Sequence, residues 1–366
     1  MEWMVGFLLF VGGVPYLTTI IWLWIGLKRK PLSTGPQLLS VSVVIAARNE
    51  EKFIEECIKS LRGQDYDGEW EVIVVDDRSV DTTLNIIRNI SSEWSKLHIV
   101  SAPNPPKLIC PKKSALAAGI KIAKGEVLLF TDADCEVPPD WIASMVSYFE
   151  GDVGLVGGYA RTGKGSGILQ HILSVENMAI GALAAGSFAQ DKPLSCTGRN
   201  LAYRKSVYVE VGGFAECGHL MGGDDVYMMR NIRRITNWRM CFNRESVVNS
   251  KPASLDLASV IDQKIRHAAK GGNYKGPAFL LGVSVYLYHW GILAGFLMWM
   301  FTGLISIWWM FFWGVRFIVD FLLLKKMSEI DSVNNLFLLP LLEVLYIPYV
   351  CFFPIAARIG LFKWKE

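Results

Sequence analysis

The chain has 366 residues, of which 52% are hydrophobic and 19% are charged, and its formal net charge is +3. A charge this small, without any basic run interleaved with aromatic residues, argues against nucleic-acid binding. The charged residues concentrate between about residues 38 and 275, whereas both flanks are nearly continuous apolar sequence. This layout predicts a polar domain with membrane segments on either side.

The seven cysteines are scattered singly along the chain, without a CxxC pair. An odd count with this spacing argues against a disulfide framework and against a zinc site. We therefore expect a reducing, cytosolic setting for the polar domain.

Residues 3–27 carry no charged side chain and are long enough to cross about 30 Å of hydrocarbon. A basic cluster at 28–30 follows this run, and no basic region precedes it, which favours an uncleaved anchor over 1–30 instead of a cleaved signal peptide. Because positive flanks stay inside, the N-terminus is predicted outside and the domain over 38–250 in the cytoplasm.

A second membrane region is predicted over 278–366, with two or three spans. Residues 279–301 and 303–324 form two of them, and 336–357 form a third candidate that contains three prolines and Glu343. If the third segment spans, its basic C-terminal flank lies outside, against the positive-inside tendency. A kinked or re-entrant hairpin is the alternative, and the sequence leaves both open.

Arg316 and Asp320 lie four residues apart inside the second of these spans. This spacing puts them on one helical face, where an ion pair offsets the cost of placing each charge in lipid. We expect a structural pair here in preference to a substrate contact.

The polar domain alternates short apolar runs with amphipathic segments. Strands are predicted at 41–47, 70–75, 97–100 and 126–130, with helices between them. This β-α-β-α order predicts an α/β fold with a mostly parallel sheet and right-handed crossovers. Ligands of such sheets bind beyond the carboxyl ends of the strands.

Acidic residues follow two of these strands directly. Asp76 and Asp77 end the second, and Asp132 and Asp134 follow the fourth, separated by one small residue. Two carboxylates so placed can hold one divalent cation whose other ligands are phosphate oxygens and water. No Walker-type loop and no GxGxxG opens a helix, which argues against ATPase and dinucleotide-binding folds. The nearest candidates to neutralise phosphates are therefore the basic side chains at 112–113.

A third acidic pair, Asp224 and Asp225, opens an amphipathic pattern after two glycines. One carboxylate can cap the helix, and the other is then free to accept a proton from an acceptor hydroxyl.

In their order along the chain, these motifs resemble one enzyme family. The motifs are Val43-Val-Ile-Ala-Ala-Arg-Asn-Glu50, Val74-Val-Asp-Asp-Arg-Ser79 with Asp81, Lys112 before Ala115-Leu116, Asp132-Ala-Asp134, Gly198-Arg-Asn-Leu-Ala-Tyr-Arg204, Gly212-Gly-Phe214, Gly223-Asp-Asp225 and Gln263-Lys-Ile-Arg266. Over roughly residues 40–270, the chain resembles the family-two, GT-A-fold glycosyltransferases. The resemblance is strongest to the integral-membrane branch with ceramide glucosyltransferases and the cellulose, hyaluronan and poly-N-acetylglucosamine synthases.

The resemblance implies a role for each matched position. The nucleotide-sugar, UDP-linked by the same resemblance, would be bound by Ala46, Glu50, Asp77, Lys112 and Asp132. A divalent cation, Mg²⁺ or Mn²⁺, would be held by Asp132 and Asp134, and Asp225 would act as general base in an inverting transfer. The acceptor and diphosphate side would comprise Asp224, Gln263, Arg266 and His267. His267 stands where the family motif has Trp, and Asp224 stands where the family has Glu.

The acceptor is predicted from the membrane segments. Residues 251–277 are predicted to form an interfacial, basic segment that carries the Gln-x-x-Arg motif. Such a segment would put the active site at the level of the lipid headgroups. Few membrane spans are available for a polysaccharide pore, so we expect a single addition to a lipid. The alternatives are a processive polysaccharide synthase and, from another class, a membrane nucleotidyltransferase; a transporter role leaves the acidic motifs unexplained. The expected location is a bacterial inner membrane.

Overall fold

The computed structural model describes residues 2–30, 35, 37–104, 109–163, 167–220, 222–251, 257–270, 277–332 and 336–360. The chain divides into two compact units. The sheet unit comprises residues 29–163 and 183–251, and the helical unit comprises residues 1–28, 164–182 and 252–366.

Strands and helices alternate through the first half of the sheet unit. The described strands are β1 (Val41–Ala47), β2 (Trp70–Asp76), β3 (Leu97–Ser101), β4 (Val127–Phe130), β5 (Cys135–Glu136), β6 (Val153–Thr162), β7 (Leu201–Arg204) and β8 (Arg239–Ser250). The described helices of this unit are α2 (Ile54–Arg62), α3 (Thr83–Glu93), α4 (Pro111–Ile122), α5 (Trp141–Val146), α7 (Lys205–Glu210) and α8 (Asp224–Ile235).

The strands form one sheet in the order β3-β2-β1-β4-β7-β6-β8-β5. The four strands predicted from the sequence pair in parallel, with β1 between β2 and β4, which confirms the predicted α/β fold. Beyond β4 the sheet becomes mixed, because β7 runs antiparallel to both β4 and β6. The strand ends that carry the acidic motifs therefore lie at the same edge, separated by β1.

Both faces of the parallel half are buried, which explains its continuous apolar runs. Alternate residues such as Val43 and Val74 pack against α2, α3 and α5 on one face. On the other face α4 comes close at Gly119, where an added Cβ would lie 2.7 Å from Val44 Cγ1 and 2.8 Å from Val75 Cγ2. Each buried Val or Ile contributes about 1.5–3 kcal/mol relative to exposure.

The described helices of the helical unit are five long apolar helices and the shorter, amphipathic α9. They are α1 (Glu2–Lys28), α6 (Ile168–Phe188), α9 (Leu257–Lys270), α10 (Pro277–Thr302), α11 (Ile307–Asp331) and α12 (Leu339–Arg358), with α6 passing into the sheet unit after Ala182. Where α1 meets α10, a Cβ on Gly12 would lie 2.4 Å from the backbone nitrogen of Tyr288. Small residues allow this close packing, which substitutes for the hydrophobic effect between helices in lipid.

Five described helices have the length and composition of membrane spans: α1, α6, α10, α11 and α12. Four of these correspond to the predicted anchor and C-terminal segments. Sequence analysis did not identify α6, because Gln170, His171 and Glu176 interrupt its apolar pattern. The segment at 339–358 is one continuous helix with Pro348 and Pro354 inside it, so it does not form a helical hairpin. The predicted ion pair is confirmed, with Arg316 Nε 3.4 Å from Asp320 Oδ2.

Asn200, just before β7, joins three parts of the sheet unit through its buried amide. Trp141 Nε1 donates to its Oδ1 at 2.9 Å, and its Nδ2 donates to the carbonyls of Tyr159 and Ser246 at 2.9 and 3.1 Å. Buried polar groups left without partners cost about 1–3 kcal/mol each. This amide is therefore a strong determinant of the geometry beside β4.

We predict that Asn200→Ala lowers the free energy of unfolding by about 3 kcal/mol, because it leaves buried donors and acceptors unpaired. In detergent, the thermal midpoint of the full chain should fall by roughly 2–4 °C per kcal/mol. The control is Asn85→Ala on the exposed side of α3, which should stay within about 0.5 kcal/mol of the unaltered protein. Equal midpoints for the two variants would show that Asn200 does not hold these elements together.

Candidate active site at the carboxyl edge of the sheet

The loops after β1 and β2 are tied together by hydrogen bonds. Asn49 Oδ1 accepts from the backbone N–H of Val80 at 2.9 Å, and the Asn49 N–H donates to Ser79 Oγ at 3.1 Å. Glu51 Oε2 accepts from the Thr82 hydroxyl at 2.8 Å. Asn49 also has a positive φ of 56°, a conformation that Asn tolerates better than most residues. The polar residues of the first motif therefore position its backbone around the end of β1.

Asp76 and Asp77 are both buried at the end of β2. The Asp77 N–H donates to the carbonyl of Ala47 at 2.7 Å, which fixes this loop against β1. Arg78 Nε donates to Asp77 Oδ1 at 3.0 Å. Asp77 therefore lies next to the end of β1, with Ala46 and the half-buried Glu50 on the neighbouring strand and loop.

Asp132 and Asp134 lie in the turn that follows β4, and both are half-buried. Lys112, in the first turn of α4, donates from Nζ to Asp132 Oδ1 at 2.7 Å. The same Nζ lies 3.7 Å from Asp224 Oδ2, so Lys112 joins the second and third acidic motifs.

The carboxyl groups in this turn differ in their proton affinity. Burial raises the pKa of Asp132, but the Lys112 ammonium outweighs it, and the pKa lies below its usual value. The pKa of Asp134 is raised by burial and by the charge of Asp132. Burial lowers the pKa of Lys112, yet Asp132 and Asp224 together hold it well above the usual value. Lys112 therefore remains a cation beside these carboxylates.

Asp224 and Asp225 begin α8, after two glycines that both have a φ of +67°. Asp225 Oδ2 accepts from the N–H of Gly198 at 2.9 Å, and its Oδ1 accepts from the N–H of Val226 at 2.7 Å. Gly198 permits this approach, since a Cβ there would lie 3.3 Å from Asp224 Oδ2. Burial, and then the charge of Asp224, raises the pKa of Asp225 and makes it a better proton acceptor than an exposed aspartate.

Lys113 does not serve as a phosphate ligand, contrary to the prediction that grouped it with Lys112. Its side chain is 0% exposed, and its Nζ donates to the carbonyls of Cys217 and Leu220 at 2.7 and 2.8 Å. It therefore fixes the loop that leads to α8. Adjacent residues on a helix point about 100° apart, so one lysine faces the site and the next faces the interior.

Arg199 is a further cation near the metal-binding motif, and sequence analysis gave it no role. Its charge lowers the pKa of both Asp132 and Asp134, although burial and closer charges act more strongly on them. The carbonyl of Arg199 accepts from Thr131 Oγ1 at 3.0 Å, so its backbone is fixed next to the end of β4. The sequence feature that could have identified Arg199 is its position in the Gly198-Arg-Asn motif.

Three predicted acceptor-side residues cannot be placed at this site. Gln263, Arg266 and His267 belong to α9 in the helical unit, and their side chains lie outside the described part of the structure. The remaining predicted residues, namely Ala46, Glu50, Asp77, Lys112, Asp132, Asp134, Asp224 and Asp225, all belong to the sheet unit.

The carboxylates of Asp132 and Asp134 fit a divalent cation of the Mg²⁺ or Mn²⁺ type, because they are hard oxygen donors. No group of three or more His, Cys, Asp or Glu ligands occurs among the residues that the structure describes. The protein would thus supply part of the coordination shell, and phosphate and water would supply the rest.

Comparison with known proteins agrees with this geometry. Residues 42–212 match the family described as glycosyl transferase family 2. Over 111 residues the chain is 32% identical to the beta-monoglucosyldiacylglycerol synthase of Nostoc sp. strain PCC 7120, a match covering 30% of this chain and 23% of that protein. Over 192 residues it is 30% identical to glycosyltransferase AglE of Haloferax volcanii, covering 51% of this chain and 59% of that protein. The chain thus spans less than two thirds of either relative.

A solved structure resembles this chain along nearly its whole length. It is the mannosyltransferase PcManGT from Pyrobaculum calidifontis, with a TM-score of 0.64 and 20% sequence identity, covering 98% of this chain and 97% of that one. The topology of the sheet unit and the family match lead to one conclusion: the chain carries a glycosyltransferase family 2 domain of the GT-A fold.

Proposed function

We propose that this protein transfers a sugar, with inversion, from a nucleoside diphosphate sugar to a lipid of the membrane that holds it, one sugar at a time. The observation that carries the proposal is the grouping of Asp77, Asp132, Lys112 and Asp225 at one edge of the sheet, in a chain with five apolar helices of spanning length. We place the catalytic unit on the cytoplasmic side of a bacterial inner membrane.

The donor would bind across the ends of β1, β2 and β4. Asp77 can accept hydrogen bonds from the base or ribose, with Ala46 and Glu50 beside it on the β1 side. Lys112 and Arg199 can neutralise diphosphate oxygens, since charge-assisted hydrogen bonds to phosphate are among the stronger protein contacts. We propose UDP as the nucleotide because of the family resemblance.

Asp132 and Asp134 would hold a divalent cation. When bound, such a cation would stabilise the negative charge that develops on the leaving diphosphate. The similar mannosyltransferase from Pyrobaculum calidifontis was solved with GDP-Man and Mn²⁺, which supports the choice of metal.

Asp225 would act as general base. As the acceptor oxygen attacks the anomeric carbon, its proton passes to the Asp225 carboxylate, and the bond from that carbon to the diphosphate oxygen breaks with its electron pair. A single displacement of this kind inverts the anomeric configuration. Backbone N–H donors from Gly198 and Val226 hold the carboxylate in one orientation, which pre-organises the base.

A lipid acceptor is supported by two observations. One is the apolar character of α1, α6 and α10–α12. The other is the partial likeness to a protein named as a glucosyldiacylglycerol synthase. Asp224 and the residues Gln263, Arg266 and His267 on α9 would serve the acceptor and diphosphate side.

The proposal is tested with purified, detergent-solubilised protein, a panel of radiolabelled UDP- and GDP-sugars, Mn²⁺ or Mg²⁺, and total lipid extract. We expect label in a small, organic-soluble product on thin-layer chromatography, and none when EDTA is added. Protein with Asp225→Asn, purified in the same way, controls for contaminating enzymes. Label in long, water-soluble chains on gel filtration would instead identify a processive synthase, and release of pyrophosphate from a nucleoside triphosphate would identify a nucleotidyltransferase.

We predict that Asp132→Ala weakens UDP or GDP binding at least about tenfold when Mn²⁺ is present, because a ligand of the cation is lost. With EDTA the affinities of variant and unaltered protein should differ much less. Isothermal titration calorimetry measures the nucleotide affinity with Mn²⁺ and with EDTA. Asp140→Ala removes an exposed carboxylate just before α5, and this matched control should leave binding unchanged. If Asp132→Ala kept the full dependence on metal, Asp132 would not be a metal ligand.

We predict that Asp225→Asn lowers kcat about 10²- to 10⁴-fold, because the amide cannot accept the acceptor's proton. Its dissociation constant for the nucleotide-sugar should stay the same, because the proposed base acts on the acceptor hydroxyl and the residues proposed to bind the donor are unchanged. Rates and calorimetric affinities are compared with those of Asp140→Asn. A parallel loss of donor binding would move Asp225 from the general-base role to the donor pocket.

A further inference from the structure

The guanidinium of Arg78 binds the carboxylate of its neighbour Asp77 at the end of β2. Arg78 Nε and Nη2 lie 3.0 and 2.5 Å from Asp77 Oδ1, so two N–H groups donate to one oxygen. Asp77 Oδ2 accepts no hydrogen bond from any residue in the part of the chain that the structure describes. The side chain of Asp77 is only 6% exposed. A buried carboxylate thus has one oxygen filled by Arg78 and the other without a protein donor.

The backbone at Arg78 has a conformation that favours glycine. Its φ is +59°, which is unfavourable for a residue with a Cβ and accessible to glycine without strain. In an extended strand, successive side chains point to opposite faces of the sheet. The left-handed turn at residue 78 instead lets the guanidinium return to Asp77. Backbone strain of this kind concentrates at functional sites, which indicates a role for the Arg78 side chain.

The ion pair changes the hydrogen bonds that Asp77 can offer to a ligand. An ionised carboxylate accepts about four hydrogen bonds, two at each oxygen. Arg78 fills both positions on Oδ1, so Oδ2 alone can accept from a ligand. The guanidinium uses two of its N–H groups in this contact, and the others can donate to a ligand carbonyl. The pair therefore offers one acceptor next to donors, whereas Asp77 alone would offer two acceptors side by side.

These two arrangements match different bases. Uracil presents one ring N–H between two carbonyl oxygens, which suits a single acceptor with donors beside it. Guanine presents two neighbouring donors, its N1–H and its 2-amino group, which suit both oxygens of an unpaired carboxylate. With Oδ1 of Asp77 filled, the amino group of guanine would lose its partner. A donor that is removed from water without a new acceptor weakens binding.

We propose that Arg78 selects the base of the nucleoside diphosphate, because it closes Oδ1 of Asp77 and thereby favours uracil and disfavours guanine. Arg78 is then a specificity-determining residue that acts through Asp77. The inference rests on the proposed function, which puts the base of the donor at Asp77. It deepens that function by assigning the choice between UDP and GDP to one side chain.

Inosine diphosphate (IDP) separates the effect of the amino group from the size of the base. Hypoxanthine has the ring N1–H and the carbonyl of guanine but no 2-amino group. UDP, GDP and IDP carry the same ribose and diphosphate, so the ratios of their affinities cancel what the cation and Lys112 contribute. The ratio of the GDP affinity to the IDP affinity therefore reports on the amino group.

The backbone conformation supplies a mild substitution. Arg78→Gly frees Asp77 Oδ1, and the φ of +59° suits glycine, so the thermal midpoint of the full chain should not fall. Arg78→Met is a second variant that keeps a long side chain but has no donor. Arg88→Ala removes an exposed arginine on α3 and controls for the loss of one positive charge.

Isothermal titration calorimetry of the full chain in detergent, with Mn²⁺, measures the three dissociation constants. For the unaltered protein we expect UDP and IDP to bind at least about tenfold more tightly than GDP, a factor that corresponds to about 1.4 kcal/mol. In Arg78→Gly and Arg78→Met, GDP should bind at least as tightly as IDP. Arg88→Ala should keep the ratios of the unaltered protein.

Three other outcomes decide against the inference. If GDP bound the unaltered protein as tightly as IDP, Oδ1 would not be closed to the base. A ratio of GDP to IDP affinity that both Arg78 variants left unchanged would show that Arg78 does not select. Absence of binding by all three nucleotides would remove the proposed donor site and this inference with it. Failure of the proposed function is thereby distinguished from failure of the inference alone, in which nucleotides bind without the expected ratios.

Discussion

The ion pair between Lys112 and Asp132 balances charge in a site that otherwise collects carboxylates. Asp132, Asp134, Asp224 and Asp225 converge from the β4 turn and the start of α8, and each is half-buried. Like charges brought together out of water disfavour one another's ionised forms. The ammonium of Lys112, 2.7 Å from one motif and 3.7 Å from the other, offsets this repulsion and joins the two motifs. The arrangement of donor and acceptor sides in the proposed reaction depends on that bridge.

The sequence predicted the parallel half of the sheet well, because burial on both faces leaves an unambiguous pattern. β1 is an uninterrupted run from Val41 to Ala47, and the observed strand has these same bounds. The mixed half was not predicted. β6 contains three glycines within Val153–Thr162, β7 has four residues, and β8 shows no regular alternation of buried and exposed positions over its twelve residues. Each of these strands forms by pairing with strands that are distant in the sequence. The local pattern of apolar residues does not reveal such partners.

The candidate site also has one part that the sequence predicts and another part that it does not. The acids that follow strands were predictable, since parallel strands bring their carboxyl ends to one edge. The supporting residues were not. Lys112 and Lys113 are adjacent and chemically identical, yet one bridges the carboxylates and the other is buried under the loop before α8. Asn200 and Arg199 come from a segment more than sixty residues after Asp132 in the chain, and only the tertiary fold brings them next to β4.

The helical unit contains helices whose length and composition suit a membrane, and in lipid no hydrophobic force drives such helices together. Close contacts and hydrogen bonds between helices serve instead: Gly12 allows α1 to approach Tyr288, the Tyr288 hydroxyl donates to the carbonyl of Phe312 at 2.7 Å, and Trp309 Nε1 donates to that of Ile292 at 2.9 Å. These polar groups are satisfied by the protein itself, and their role is packing.

Ionic groups add a second kind of contact between these helices. Arg316 on α11 lies 2.7 Å from Glu343 Oε2 on α12 and 3.4 Å from Asp320 Oδ2 on its own helix, and the Tyr16 hydroxyl of α1 donates to Asp320 Oδ2 at 2.7 Å. Replacing a whole buried ionic group with apolar side chains often stabilises a protein, whereas removing one partner leaves a buried charge uncompensated. The three helices are therefore joined by a cluster whose members depend on one another, and a change at one of them affects the contacts of all three.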